Sequence, residues 1–481
     1  MPHDQLFIGG TWVQPSTDRH IDVVSPHSEM PIARVAAAGP ADIDAAVAAA
    51  RAAFDTGDWP RRPPSERIAL VRRLAEIYGQ RRMEMADVIT SEIGAPISFS
   101  KRAQAGLPAM MMTAFCDLAE SYPFEETRRG MYGSDIRIRR EPAGVIAAIV
   151  PWNMPQFLTV TKLIPALLAG CTVVLKPAEE SPLNALLLAE MIAETGLPDG
   201  VVSILPGGAE TGRQLVAHPG VDKVSFTGST ATGTAVATAC AAQLRRVSLE
   251  LGGKSAAIVL DDADPGLVAF GVRSASLSNS GQICNALTRI LVPSGRAGDF
   301  TDALAAEVDA LLVGNPADSA TQVGPLVAQR QQKRVRDYIN QGRSEGARLV
   351  TGGTAMPDGI DRGWYVRPTL FDKADNTMGI AREEIFGPVL TVIEYADESD
   401  AIRIANDSAY GLAGSVWTED ADRGLAVAAA IRTGTFGINQ GYTMDPFAPF
   451  GGVKASGYGR ELGHEGIDGY TDTKSIAVAA R

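Results

Sequence analysis

Apolar positions along the chain change their period near residue 144, and that change organises the rest. After a short β start, the first third repeats at helical spacing, with Ile43, Val47, Ala50 and Phe54 on one face. Pro63-Pro64 precede a second helix, with Ser65 as its expected cap and Ile68, Val71 and Leu74 on its buried side. From Gly144 onward, short apolar runs alternate with helices. Strands are expected at 145–150, 172–175, 201–205, 223–226 and 247–251. A helix over 156–168 is stopped by Gly170. Ser181-Pro182 opens another, apolar at Leu183, Leu187 and Met191 and closed by Gly196 and Pro198. Short apolar strands separated by helices imply a parallel sheet covered on both faces.

A second α/β stretch runs from about 251 to 454, with a strand at 256–260 and a helix at 300–312. Residues 361–367 read as a loop leading into a strand at Pro368-Thr369-Leu370. Two segments fit neither unit. Residues 136–140 alternate apolar and basic side chains, and 475–480 alternate near the end. Both read as exposed strands, whose open edges invite pairing with another chain, so an oligomer is expected.

Composition narrows the function classes. A length of 481 residues suggests about three structural units. The net charge of -12 argues against nucleic acid or an anionic membrane as partner. No apolar stretch reaches the ~20 residues of a membrane span. The start, Met1-Pro2-His3-Asp4-Gln5, lacks the layout of a secretory leader. Cys116, Cys171, Cys240 and Cys284 are scattered, without metal-ligand spacing or a disulfide framework. A reducing, cytoplasmic setting and no metal site are expected.

Four segments carry candidate chemistry. Cys284 follows Ser280-Gly281-Gln282-Ile283 and precedes Asn285. A single Cys is more often a small core residue than a nucleophile, but the glycine and amides around it suggest a tight turn beside a cavity. Glu250 ends an apolar strand and is followed by Leu251-Gly252-Gly253-Lys254, where α/β sheets place ligand sites. A solvated strand end would look the same. Pro151-Trp152-Asn153-Met154-Pro155 is either a rigid turn or an amide donor held between prolines. Phe226-Thr227-Gly228-Ser229 leads into an alanine-rich helix, whose free N–H groups favour phosphate. It is not GxGxxG, and a plain helix cap fits it too. Lys176 and Glu179, after another strand, could hold ribose hydroxyls or form a charged loop.

With these segments in view, the chain resembles the aldehyde dehydrogenase superfamily over essentially its whole length. PWNMP at 151–155, KPAEESP at 176–182, FTGST at 226–230, ELGGKS at 250–255, GQIC at 281–284, EEIFGPV at 383–389 and PFGGVKASGYGRE at 449–461 occur in family order and spacing. The resemblance implies an α/β fold of two doubly wound parallel-sheet domains with a small β oligomerisation element. The cofactor-binding domain would take 1–121 and 141–250, the catalytic domain 251–455, and the oligomerisation element 122–140 and 456–481.

It also implies roles. Cys284 would attack the aldehyde to form a thiohemiacetal. The Asn153 side chain and the Cys284 backbone N–H would hold the oxyanion. After hydride transfer to the nicotinamide, Glu250 would activate the water that hydrolyses the thioester. Lys162 and Glu461 would assist proton relay. Lys176 and Glu179 would hold the adenosine ribose, Ser229 the pyrophosphate, and Glu384 and Phe386 the nicotinamide ribose. Ile149, Val150, Trp152, Gly208, Thr227, Gly228, Thr232 and Leu251 match other cofactor-contacting positions. NAD is expected as cofactor, with NADP the alternative, because Glu179 would repel a 2′-phosphate. The assembly would be a dimer or a homotetramer.

Three other readings compete. A CoA-acylating semialdehyde dehydrogenase typically lacks the Glu of ELGGK, which is present here. A non-catalytic binding or structural protein would not need Cys284, Glu250 and Asn153 together. A cofactor-free hydrolase has no GxSxG elbow or recognisable triad to rest on. By family analogy, 439–450 lines the substrate entrance; it holds Tyr442, Met444, Phe447 and Asp445 and no basic residue. An uncharged, apolar or aromatic aldehyde is therefore expected rather than a dicarboxylic semialdehyde.

Overall fold

A computed structural model describes residues 3–479, so Met1, Pro2 and Ala480, which figure in the sequence expectations, lie outside the described residues. The first sheet centres on five parallel strands in the order Val202–Ile204, Thr172–Lys176, Val145–Ile149, Lys223–Thr227 and Arg246–Glu250. Val145, Ala147 and Ile149 face one hydrophobic core, with the helix Pro40–Asp55. Ile146 and Ala148 face another, with the helix Pro155–Ala169. Cover on both faces explains why this strand reads as an unbroken apolar run. Strand order reverses between Val145–Ile149 and Lys223–Thr227, which opens a crevice beyond their carboxyl ends.

The second sheet runs Thr369–Ala374, Val389–Tyr395, Arg289–Pro293, Ala256–Val259, Gly414–Trp417 and Gly437–Ile438, all parallel, with Arg348–Thr351 antiparallel at one edge. A third, small sheet places Asp135–Pro142 between Glu125–Arg129 and Thr471–Val478. The two alternating segments seen in the sequence thus pair with each other, and their outer face is exposed. Among the described residues, no helix is long and apolar enough to cross a membrane.

Local differences from the sequence reading have physical causes. Gly457–Tyr458 joins the first sheet beside Leu249–Glu250, although 456–481 reads as part of the small β element. A side chain at Gly457 would meet the Leu249 carbonyl at 2.0 Å, so only glycine permits this pairing. The second helix begins at Pro64, with Ser65 inside its first turn rather than capping it. Proline is preorganised for that first position. Ser181 does not cap the helix Leu183–Ala193. The Glu92 carboxylate, from the helix Pro64–Ile93, instead accepts from the N–H groups of Leu183 at 2.9 Å and Asn184 at 3.2 Å. The helix expected at 300–312 spans Ala297–Asp309.

Candidate active site

The segments that carry candidate chemistry meet beyond the strand ends, between the two large sheets. Cys284 follows a turn in which Asn279, Ser280 and Gly281 all take left-handed backbone angles, φ 51°, 57° and 73°. Two of these are not glycine, a conformation that surrounding contacts must hold. The contacts are specific. Ser280 Oγ donates to the Gly324 carbonyl at 2.8 Å, and the Val327 N–H donates to Gln282 Oε1 at 3.1 Å. A Cβ at Gly281 would meet the Gly387 carbonyl at 2.3 Å. The turn thereby delivers Cys284, partly exposed, to the wall of a cavity of about 760 Å³.

Asn153 lines the same cavity. Its Nδ2 donates to the Gln282 carbonyl at 2.9 Å, which ties the loop after Val145–Ile149 to the nucleophile's own turn. An amide nitrogen carries two hydrogens, so one remains for a ligand. Burial pushes the Cys284 thiol up to about 12, and the carboxylates of Glu384 and Glu250 add to the rise. The N–H groups of Cys284 and Asn285 pull the other way. At neutral pH the resting sulfur is therefore a thiol, and it needs a base or added positive charge to become nucleophilic.

Glu250 ends the strand Arg246–Glu250. Both its carboxylate oxygens are buried without a hydrogen-bond partner among the described residues. One packs where a Cβ on Gly451 would stand, 2.8 Å away. Burial, and then the charge of Glu461, hold its carboxyl well above the usual range. Glu461 accepts from Thr161 Oγ1 at 2.8 Å and pairs with the Lys162 ammonium, which also donates to Thr227 Oγ1 at 2.6 Å. Lys162, Glu461 and Glu250, separated widely in sequence, thus form one buried cluster. Thr227, matched above to a cofactor contact, has its hydroxyl turned to that cluster.

The remaining segments follow strand ends such as Lys176 and Thr227. Lys176 Nζ, lowered to about 8 by burial, donates to the Pro177 and Gly207 carbonyls, both at 2.6 Å. Glu179 is exposed, and a Cβ at Gly208 would stand 2.8 Å from its carboxylate. A Cβ at Gly228 would meet the Phe226 ring at 2.5 Å. These glycines keep a cradle open that any side chain would fill. Ser229 caps the helix Thr230–Ala241, accepting from the Thr232 N–H at 3.3 Å, so its role as a plain cap is present alongside exposed N–H groups at the helix start. Trp152 and Phe386 meet edge to face, 5.4 Å between centroids. Glu384, raised to about 7 by burial, accepts from the Gly253 N–H at 3.0 Å. Ile149, Val150 and Leu251 are buried. A buried lysine, carboxylates for hydroxyls, a helix start for phosphate and an aromatic pair are the kinds of group that hold a dinucleotide.

Sequence reading passed over Gln104, Asn279 and Lys254. Lys254 Nζ is buried without a partner among the described residues and lowered to about 7 by burial and by Arg289. Its place in ELGGKS was the available signal; Gln104 lay outside every recognised segment. Phe447, expected at the substrate entrance, is 59% exposed and outside the cavity wall, as is Asp445, whose side chain accepts from the Phe447 N–H. Tyr442, Met444 and Phe450 do line it. Among the described residues, the charged side chains on the wall are Asp264 and Glu419, with no basic residue there.

Comparison with known proteins agrees over nearly the full length. The model of the aldehyde dehydrogenase family matches residues 12–476. The chain is 45% identical to a geranial dehydrogenase of Castellaniella defragrans, covering 98% of each chain. It is similar to a crystal structure of a Mycobacterium tuberculosis aldehyde dehydrogenase complexed with NAD+, at 48% identity and TM-score 0.97, covering 99% of this chain and 98% of the other. It is also similar to a mutant aldehyde dehydrogenase C of Pseudomonas syringae in complex with NAD+ and octanal, at 42% identity and TM-score 0.95, covering 99% and 97%.

Proposed function

The chain belongs to the aldehyde dehydrogenase family, and on that premise we propose that it oxidises uncharged, apolar aldehydes to carboxylic acids with NAD. The observation that carries the substrate class is the cavity at Cys284: about 760 Å³, walled by Phe99, Phe157, Leu158, Trp417 and Tyr442 among others, without a basic residue. A second carboxylate on the substrate would find no partner there and would face Asp264 and Glu419. The octanal bound by the Pseudomonas syringae relative and the geranial of the Castellaniella enzyme's name support the same class.

Each residue has a task. Cys284, once deprotonated, attacks the carbonyl carbon, and charge develops on the carbonyl oxygen. The free Asn153 N–H and the Cys284 backbone N–H stabilise that oxyanion; losing one such donor typically costs about 2.7–4 kcal/mol of barrier. The bound nicotinamide supplies the hydride acceptor. Lys176 and Glu179 would hold the adenosine ribose, the Ser229 helix start the phosphates, and Glu384 and Phe386 the nicotinamide ribose. Trp152, Gly208, Gly228 and Thr232 would make the other cofactor contacts. Glu250 then serves as base for the water that releases the acid from Cys284. The Glu461 carboxylate, paired with the Lys162 ammonium, takes up and returns its proton.

The exposed three-stranded sheet of Glu125–Arg129, Asp135–Pro142 and Thr471–Val478 supports assembly into a homo-oligomer, dimer or tetramer. A cytoplasmic location accords with four free cysteines. The test is NADH formation, followed by absorbance, on a panel of aldehydes with and without CoA, with Cys284→Ser as control. Turnover without CoA that Cys284→Ser abolishes is the expected result. Strict CoA dependence, or a clear preference for succinate semialdehyde, would overturn the reading.

A further inference from the structure

The carbonyl of Asn153 receives two side-chain donors from opposite units. Gln104 Nε2 donates at 2.7 Å and Asn279 Nδ2 at 2.9 Å. Asn279 belongs to the strained turn before Cys284, and Gln104 to the helical region at the start of the chain. Gln104 ends a π-helical turn, Ser100–Gln104, in which the Ala105 N–H reaches back to the Ser100 carbonyl at 2.9 Å. Such turns are rare and cluster at functional sites. This one is anchored by Thr90 Oγ1, 2.7 Å from Ser100 Oγ. The widened turn leaves Lys101 and Arg102 in solvent and sends Gln104 inward to full burial.

Burial alone does not call for a glutamine at position 104. Its Oε1 is buried with no hydrogen-bond partner among the described residues, a cost that a methionine of the same length would not carry. What the glutamine adds is a donor to one carbonyl. That carbonyl belongs to the residue whose side-chain amide, tied to Gln282, faces the reacting oxygen. A peptide fixed from both sides cannot rotate, so the Asn153 amide is held in register with the sulfur before substrate arrives.

We propose that Gln104 is a positioning residue for the oxyanion amide of Asn153, acting through the Asn153 carbonyl. The proposal rests on the reading of Asn153 as oxyanion donor. Gln104→Met removes the donor at near-constant volume, and kcat should fall about 10- to 100-fold with the KM values for aldehyde and NAD little changed. Asn153→Ala should lose about 10²–10³-fold, and adding Gln104→Met to it should cost no more. Gln104→Glu supplies a second, independent readout. A carboxylate only accepts, whereas a protonated carboxyl can donate to the carbonyl. The activity of Gln104→Glu relative to wild type should therefore rise as pH falls, a trend that a merely structural role would not produce.

Should Gln104→Met fail to fold by circular dichroism, the pH series on Gln104→Glu carries the test. Full kcat in Gln104→Met, losses that multiply in the double variant, or a flat pH ratio for Gln104→Glu would overturn the proposal. If those results accompany a damaged Asn153→Ala, the oxyanion reading stands and only the role of Gln104 falls. Full activity in Asn153→Ala would remove both.

Discussion

Lengthening the substrate one methylene at a time probes the cavity directly. Each CH₂ transferred from water to an apolar wall is worth about 0.8 kcal/mol. A tenfold rate change corresponds to about 1.36 kcal/mol, so kcat/KM should rise about fourfold per methylene. From butanal to octanal the full increment is about 200-fold, an upper bound where the wall is partly wetted. The cavity of about 760 Å³ leaves room for the whole of that chain, so no ceiling is reached within the series. The lip of the cavity carries Leu267, 70% exposed, and Phe270, 56% exposed, on one face of the helix Pro265–Ser276. Changing both to serine should leave butanal untouched and flatten the rise only for the longest aldehydes. The assay is initial-rate NADH absorbance at aldehyde concentrations below KM, with each aldehyde kept below its solubility limit. A flat or falling kcat/KM from butanal to octanal would refute the apolar reading. An effect of the lip changes as large on butanal as on decanal would refute the direction in which the chain lies.

Glu250→Gln should leave a burst of NADH of about one equivalent per site and slow the following turnover by about 10²–10⁴-fold, the range of a general base; unchanged steady-state turnover would exclude Glu250 as the hydrolytic base. The Cys284 thiol, pushed up to about 12, is protonated at neutral pH, the Glu250 carboxyl is held well above its usual range by burial, and both act deprotonated. Activity should therefore climb with pH from neutral toward alkaline, and a decline between pH 7 and 9 in a stable enzyme would contradict this. Glu179→Ser should raise kcat/KM for NADP relative to NAD by about fivefold or more, because two unit charges 4 Å apart interact by about 1–4 kcal/mol between water and surface dielectric; an unchanged ratio would show that Glu179 turns away from the ribose.

Much of this protein is legible in one dimension. Apolar runs on strands such as Val145–Ile149 are dictated by cover on both faces, and that requirement is local in sequence. Cys284, Glu250 and Asn153 each stand at a strand end or turn, where backbone geometry restricts the residue types. The family motifs in register made their joint meaning plain. Other features depend on which surfaces meet. Glu92 caps a helix 91 residues away, a contact with no periodic or spacing signature. Phe447 sits within an entrance loop by position, yet the backbone turns it to solvent. Gln104 occupies an unremarkable helical stretch, and only the π turn and the approach of the Asn153 carbonyl give it a part. Hydrophobic period and turn chemistry are short-range and survive in a linear reading. A buried hydrogen bond between distant residues is set by packing, so its partners became known only when the two units closed around Cys284.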